Sequence, residues 1–201
     1  MGTKRRLRGR SQLTLNTQIQ RSFAHSKLTH LFQAPSLHRS PEVYHVLNEM
    51  NKTGVDFCAD IHGEETLPFN FIPGNEGIPN WNDRLKALHG AFLASYSRTN
   101  TDMQAAISYP PARANNSNLA LCAKQVGHRF DCFAFTLEMP FKDCLSNPDP
   151  ERGWSPQRSR QLGASILDPM MYVSSFLRKE GVSEASFPTE DAYILPTAKY
   201  Q

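Results

Sequence analysis

A chain of 201 residues is long enough for one domain with a substantial core and too short for two ordinary ones. At 39% hydrophobic and 20% charged it has the composition of a folded globular protein, which excludes the disordered and fibrous classes. No run approaches the ~18 apolar residues of a membrane-spanning helix, and the N-terminus has no apolar stretch of the kind a secretory signal needs. No membrane is expected as a partner, and the cytoplasm is the expected location. The four cysteines, Cys58, Cys122, Cys132 and Cys144, form no CxxC pair and are expected as buried free thiols.

The net charge of +3 is unevenly spread. Residues 1–33 carry Lys4, Arg5, Arg6, Arg8, Arg10, Arg21 and Lys27 and no acid, so the remainder is acidic on balance. A nucleic-acid footprint covers a folded face and comes with stacking aromatics. Here only Phe23 and Phe32 accompany the basic residues, so no nucleic-acid partner is expected. The segment 1–33 reads as a disordered or non-native extension, 34–181 as the folded part and 182–201 as a tail.

In chain order, Ser40-Pro41-Glu42 opens the first helix: serine as cap, proline in the first turn, glutamate at the positive end of the dipole. Val43, Val46, Leu47 and Met50 follow at helical spacing, and Gly54 stops it. Val55 to Ile61 reads as a short strand ending at His62-Gly63, and Leu67 to Ile72 as extended. Leu85, Leu88, Phe92 and Leu93 make a helical stripe over residues 82–97. The polar stretch from Thr99 to Asn118 is a long loop, of the kind that is often functional. Leu119 to Val126 is a short helix. Asp131 to Glu138 is a buried strand with a charge at its end. Ser155-Pro156 repeats the cap-plus-proline start of a last long helix through Leu162, Ile166, Leu167, Met170, Met171 and Phe176, kinked at Pro169. Strands separated by helical patterns predict an α/β fold whose mixed sheet is mostly parallel and flanked by helices. In such sheets sites form beyond the carboxyl ends of the strands, where both His62 and Glu138 are expected.

A neutral imidazole at a strand end is a common zinc ligand, and Gly63 after it permits close approach. A lone histidine there is, however, more often structural. Glu138 finishing an apolar strand bears a desolvation cost unless it has a partner or a task. Beside a metal it could move a proton between water and a leaving amine. Its alternative is an ion pair with Lys142 or a nearby arginine.

Val55 to Glu65, with Pro68-Phe69-Asn70-Phe71 after it, resembles the cytosolic-carboxypeptidase branch of the zinc carboxypeptidases. Phe135 to Asp143 and the Gly153-Trp154-Ser155-Pro156 helix start resemble bacterial members of the same branch. The resemblance runs from about Ala34 to Gly181. It implies the C-terminal part of a carboxypeptidase catalytic domain (phosphorylase/hydrolase-like), incomplete at its N-terminus. It also implies zinc as cofactor, peptide or protein C-termini as substrate, His62 as a metal ligand and Glu138 as general base and acid. Tyr109, in the loop before Glu138, is the candidate for the tyrosine that covers the substrate in this family, although Pro110-Pro111 could as well mark a simple turn.

The departures are equally specific. The family takes its other two zinc ligands from an upstream His-x-x-Glu and grips the substrate carboxylate with an arginine and an Asn-Arg pair. None of these precedes His62. The literal His-x-x-Glu of the chain is His62-Gly63-Glu64-Glu65, whose ends could chelate together only on a helix or turn. His45, His89 and His128 are expected to be structural. The expectation is therefore a truncated and inactive form, with family sequence resuming near Ala34-Pro35-Ser36. The alternatives are a non-catalytic interaction module on the same fold and a metal hydrolase acting on non-peptide amides.

Overall fold

The computed structural model describes residues 31–187. The basic residues at 4–27, together with His25 and His30, lie outside that range. Helix α1 spans Pro41–Thr53, strand β1 Phe57–Glu64, helix α2 Asp83–Thr99 and helix α3 Cys122–Phe130. Strand β2 spans Phe133–Pro140, helix α4 Pro156–Ser165 and helix α5 Leu167–Ser174, with a 3-10 turn at Glu184–Ser186. Among the described residues the sheet has two strands, β1 and β2, paired in parallel from Phe57 opposite Phe133 to Glu64 opposite Pro140. Phe71 adds a single antiparallel bridge to Glu138 on the other side of β2.

Alternation of side chains along a strand decides what each face of the sheet packs against. On one face Phe57 and Ala59 join Phe133, Phe135 and Leu137 over Leu88, Phe92 and Tyr96 of α2. The rings meet edge-on or tilted, with Phe57 5.6 Å from Phe133 and Phe92 4.8 Å from Phe135. Such pairs add about 0.5–1.5 kcal/mol each beyond their buried area. On the other face Cys58 lies with Cys132, Ala134 and Val126 of α3. Asn75, buried, ties this layer together by donating to Ala134 O at 2.7 Å and Ala123 O at 3.1 Å.

The expected elements are present, with shifted ends. Ser40 stands before α1, but its side chain makes no capping bond and its buried Oγ has no partner. By contrast, Asn82 caps α2 by accepting from Leu85 N at 3.0 Å, and Ser155 caps α4 by accepting from Arg158 N at 3.3 Å. Helix α3 starts at Cys122 rather than Leu119, because Asn118 turns the chain back on Ala120 and Leu121 first. Asp131 adopts a left-handed conformation (φ 47°) as the cap of α3, so β2 begins two residues later than expected. The last long helix is two helices. Pro169 cannot donate to the carbonyl of Ser165, four residues back, and its ring crowds that carbonyl; α4 accordingly ends at Ser165. Leu167 and Met171, two of the apolar residues from which that long helix was read, are exposed.

Packing also extends past both expected limits of the folded part. Leu31 is buried against Val43 and Leu47, with Phe32 beside it. Val182 is buried, and Phe187 stacks against Tyr172 and Phe176. All four cysteines are free, Cys132 and Cys144 buried, Cys58 and Cys122 half-buried. No helix among the described residues is long and apolar enough to cross a membrane.

Candidate functional site

The strands continue beyond His62 and Glu138 by two residues each, so these groups lie within the strand ends rather than after them. They are direct register partners in the parallel pair. Imidazole Nδ1 of His62 stands 3.9 Å from Glu138 Oε1, and it is this contact that Glu138 makes in place of the alternative with Lys142. The two side chains differ sharply in environment: 46% exposed for His62, 9% for Glu138.

Period-two alternation puts Asp60, His62 and Glu64 on the same face of β1. Asp60 Oδ2 accepts from His62 Nε2 at 3.0 Å. With Nε2 as the donor, the Nδ1 lone pair is left facing Glu138. The Asp60 hydrogen bond raises the His62 pKa; burial opposes the rise, and the charges of Asp60 and Glu138 add to it. Burial raises the Glu138 carboxyl above its ordinary value. His62 pulls it back, and Glu64 and Asp60 push it further up.

Glu64 behaves in the opposite way, although burial alone would raise it too. Thr66 Oγ1, Tyr109 Oη, Leu67 N (2.9 Å) and Thr66 N (2.6 Å) all donate to its carboxylate and hold it at about 2. Tyr109 is thereby fixed at the site, its ring edge-on to Phe71 at 4.9 Å and its side 39% exposed. Burial and the hydrogen bond to Glu64, with the neighbouring Glu138 charge, push its phenol above the ordinary value. A Cβ at Gly63 would run into the exposed Phe141 ring.

The three residues singled out in the sequence are thus brought to one place. Asp60 and Glu64 were missed, although their two-residue spacing about His62 is the signal that could have found them. Because His62 lies in extended strand that ends at Glu64, it does not share with Glu65 the helix or turn that joint chelation would need. His45 is exposed on α1, His128 Nδ1 contacts Asn80 Oδ1 at 2.9 Å, and His89 lies against Trp81 and Phe133, where burial lowers its pKa.

A catalytic zinc ion takes three protein ligands. Among the described residues no three His, Cys, Asp or Glu side chains are grouped to hold a metal ion. The donor set present here, one imidazole nitrogen facing one carboxylate, does not fit the ion by itself. A separate cleft of about 1030 Å³ carries no such chemistry; its Arg158 is already paired with Asp102 at 2.6 Å.

No family model matches the chain. An uncharacterised protein of Zymomonas mobilis is 42% identical over 133 residues, 66% of this chain and 35% of that protein. Among solved structures, a metallo-carboxypeptidase from Pseudomonas aeruginosa, in complex with (2-guanidinoethylmercapto)succinic acid, is 41% identical with a TM-score of 0.74. The match covers 77% of this chain and 41% of that one. A metallo-carboxypeptidase from Burkholderia cenocepacia is 36% identical with a TM-score of 0.71, covering 76% and 40%. The chain therefore spans about two fifths of the length of these relatives. Over the stretch they share, the chain is similar in both fold and sequence to the metallo-carboxypeptidases.

Proposed function

We propose that this chain carries part of the catalytic centre of a zinc-dependent carboxypeptidase, which releases single amino acids from the C-termini of peptides or proteins. The observation that carries this reading is the facing of His62 Nδ1 and Glu138 Oε1 across the strand pair at 3.9 Å, with Asp60 holding the other imidazole nitrogen. Glu138 has the properties of a proton carrier: it is buried, and its pKa is raised from the ordinary carboxylate value. It would accept a proton from the attacking water and pass it to the leaving amine. His62 would contribute one ligand to the metal. Tyr109, half-exposed beside both carboxylates, would close over the substrate once it exchanges Glu64 for the peptide.

Because these residues do not fit a zinc ion unaided, the chain is proposed to be inactive by itself. Titration of the purified chain with zinc, followed through the imidazole nitrogen resonances, tests the assignment. The expected result is weak binding that perturbs His62 first, with no amino acid released from a peptide panel. Zinc that leaves His62 undisturbed would overturn the ligand role. One tightly held zinc per chain with release of C-terminal residues would overturn the inactivity, and Glu138→Gln should then abolish release while sparing the metal.

A further inference from the structure

Outside the proposed centre, one pair of reactive groups is brought together by the fold and used by nothing described above. Cys58 lies on β1 opposite Ala134 of β2. Cys122 is the first residue of α3, immediately before Ala123. Asn75 binds both Ala134 O and Ala123 O through its single amide nitrogen, so these two backbones are pinned within one side chain's reach. Both cysteines pack against the same cluster of Val126, Cys132 and Ala134. Their thiols meet: Cys122 is hydrogen-bonded to Cys58, and it also reaches the Asp60 carboxylate.

We propose that Cys58 and Cys122 form a reversible disulfide with hydroperoxides, a redox-modification site that communicates with His62 through Asp60. The chemistry balances. The Cys58 thiolate attacks one oxygen of hydrogen peroxide and breaks the O–O bond, giving a sulfenic acid and, after protonation, water. Cys122 sulfur then displaces the sulfenic hydroxyl, and its own proton leaves with that hydroxyl as a second water. Each sulfur is oxidised by one electron overall, and the peroxide is reduced by two.

Cys58 is suited to attack first. The hydrogen bond from Cys122 holds its thiol below the ordinary value against the opposing effects of burial and Asp60, and a thiolate is the nucleophile. Cys132 is a poor competitor. It is 1% exposed, its thiol donates to Val126 O at 3.6 Å, and burial pushes it up to about 12. Cys144 is fully buried, against Asp102 O and Ser146. Oxidation removes the Cys122 hydrogen from beside the Asp60 carboxylate, which also accepts from His62 Nε2. The imidazole that faces Glu138 thereby senses the state of the thiol pair.

The test uses the full chain, first reduced and then treated with hydrogen peroxide. Two of the four free thiols should be lost and restored by dithiothreitol. Peptide mapping should show the segment with Cys58 joined to that with Cys122, and the His62 nitrogen resonances should shift on oxidation and return on reduction. Cys122→Ser should leave Cys58 oxidisable without the intramolecular link. Peroxide consumption that yields sulfinic acid alone, a bridge to Cys132, or no loss of thiols in the wild-type chain would each overturn the proposal. These readouts require no peptidase activity, so they stand or fall apart from the function proposed above.

Discussion

Strands β1 and β2 are the same length and pair along their whole extent, yet they live in different surroundings. β2 is buried at six of its eight positions, whereas β1 opens to solvent at Ile61, His62 and Gly63 and is buried only at Glu64. β2 lies between β1 and the Phe71 bridge, while β1 has a neighbour on one side alone among the described residues. One strand is therefore part of the core, and the other presents chemistry at the core's border. Glu138 takes its raised pKa from the first environment, and His62 its accessibility from the second.

The largest effect should come from cutting β2. Phe135 is 1% exposed and touches Phe57, Phe92 and Phe133. Phe135→Ala should cost about 3–5 kcal/mol in a denaturant titration, since the ring's transfer energy is lost and a cavity remains. A cost near zero would mean that β2 is not the centre of the core.

The turns after the two strands offer the next test. Beyond β2, Arg158 donates to Asp102, Asp143, Gly153 O and Asn147 O at once, and its guanidinium lies 4.9 Å from the Trp154 ring. Arg158→Ala leaves the buried Asp102 without its cation and should cost about 3 kcal/mol. A loss below about 0.5 kcal/mol, the range of ordinary surface changes, would mean that this network is solvated.

Beyond β1 the corresponding anchor is Glu64, and its contribution should depend on pH. Its folded pKa of about 2 lies below the ordinary 4.5. The stabilisation is therefore fully present above pH 4.5 and lost as pH falls towards 2. Glu64→Gln should cost about 1 kcal/mol at neutral pH, allowing for solvent screening, and the difference from wild type should vanish in acid. A difference that persists unchanged at the acid end would locate its origin in packing rather than charge.

The same contrast explains what the sequence disclosed. β2 was legible because an unbroken apolar run carries its own signature, and Glu138 stood out against it. The far end of β1 was less so: the strand was expected to end at His62-Gly63, and pairing with β2 carries it on to Glu64. The anchoring of Glu64 was invisible for a different reason, since Tyr109 lies 45 residues away in the sequence. The break at Ser165 could be foreseen as a kink but was placed at Pro169, because a proline acts on the carbonyl one turn before it. Ser40 misled in the other direction, a favoured capping residue that makes no cap.

The smallest expected effect on stability is also the most diagnostic of the border strand. Ile61 is 51% exposed on β1, and the chain spans about two fifths of its relatives' length. A bare strand edge with an exposed branched side chain invites pairing with another chain, and lysine on such an edge opposes it. Ile61→Lys should therefore alter unfolding free energy by no more than ~0.5 kcal/mol, yet shift sedimentation towards monomer if the wild-type chain self-associates through this edge. A destabilisation comparable with that of Phe135→Ala would instead mean that Ile61 is covered in solution, and the contrast between the two strands would belong to the isolated chain alone.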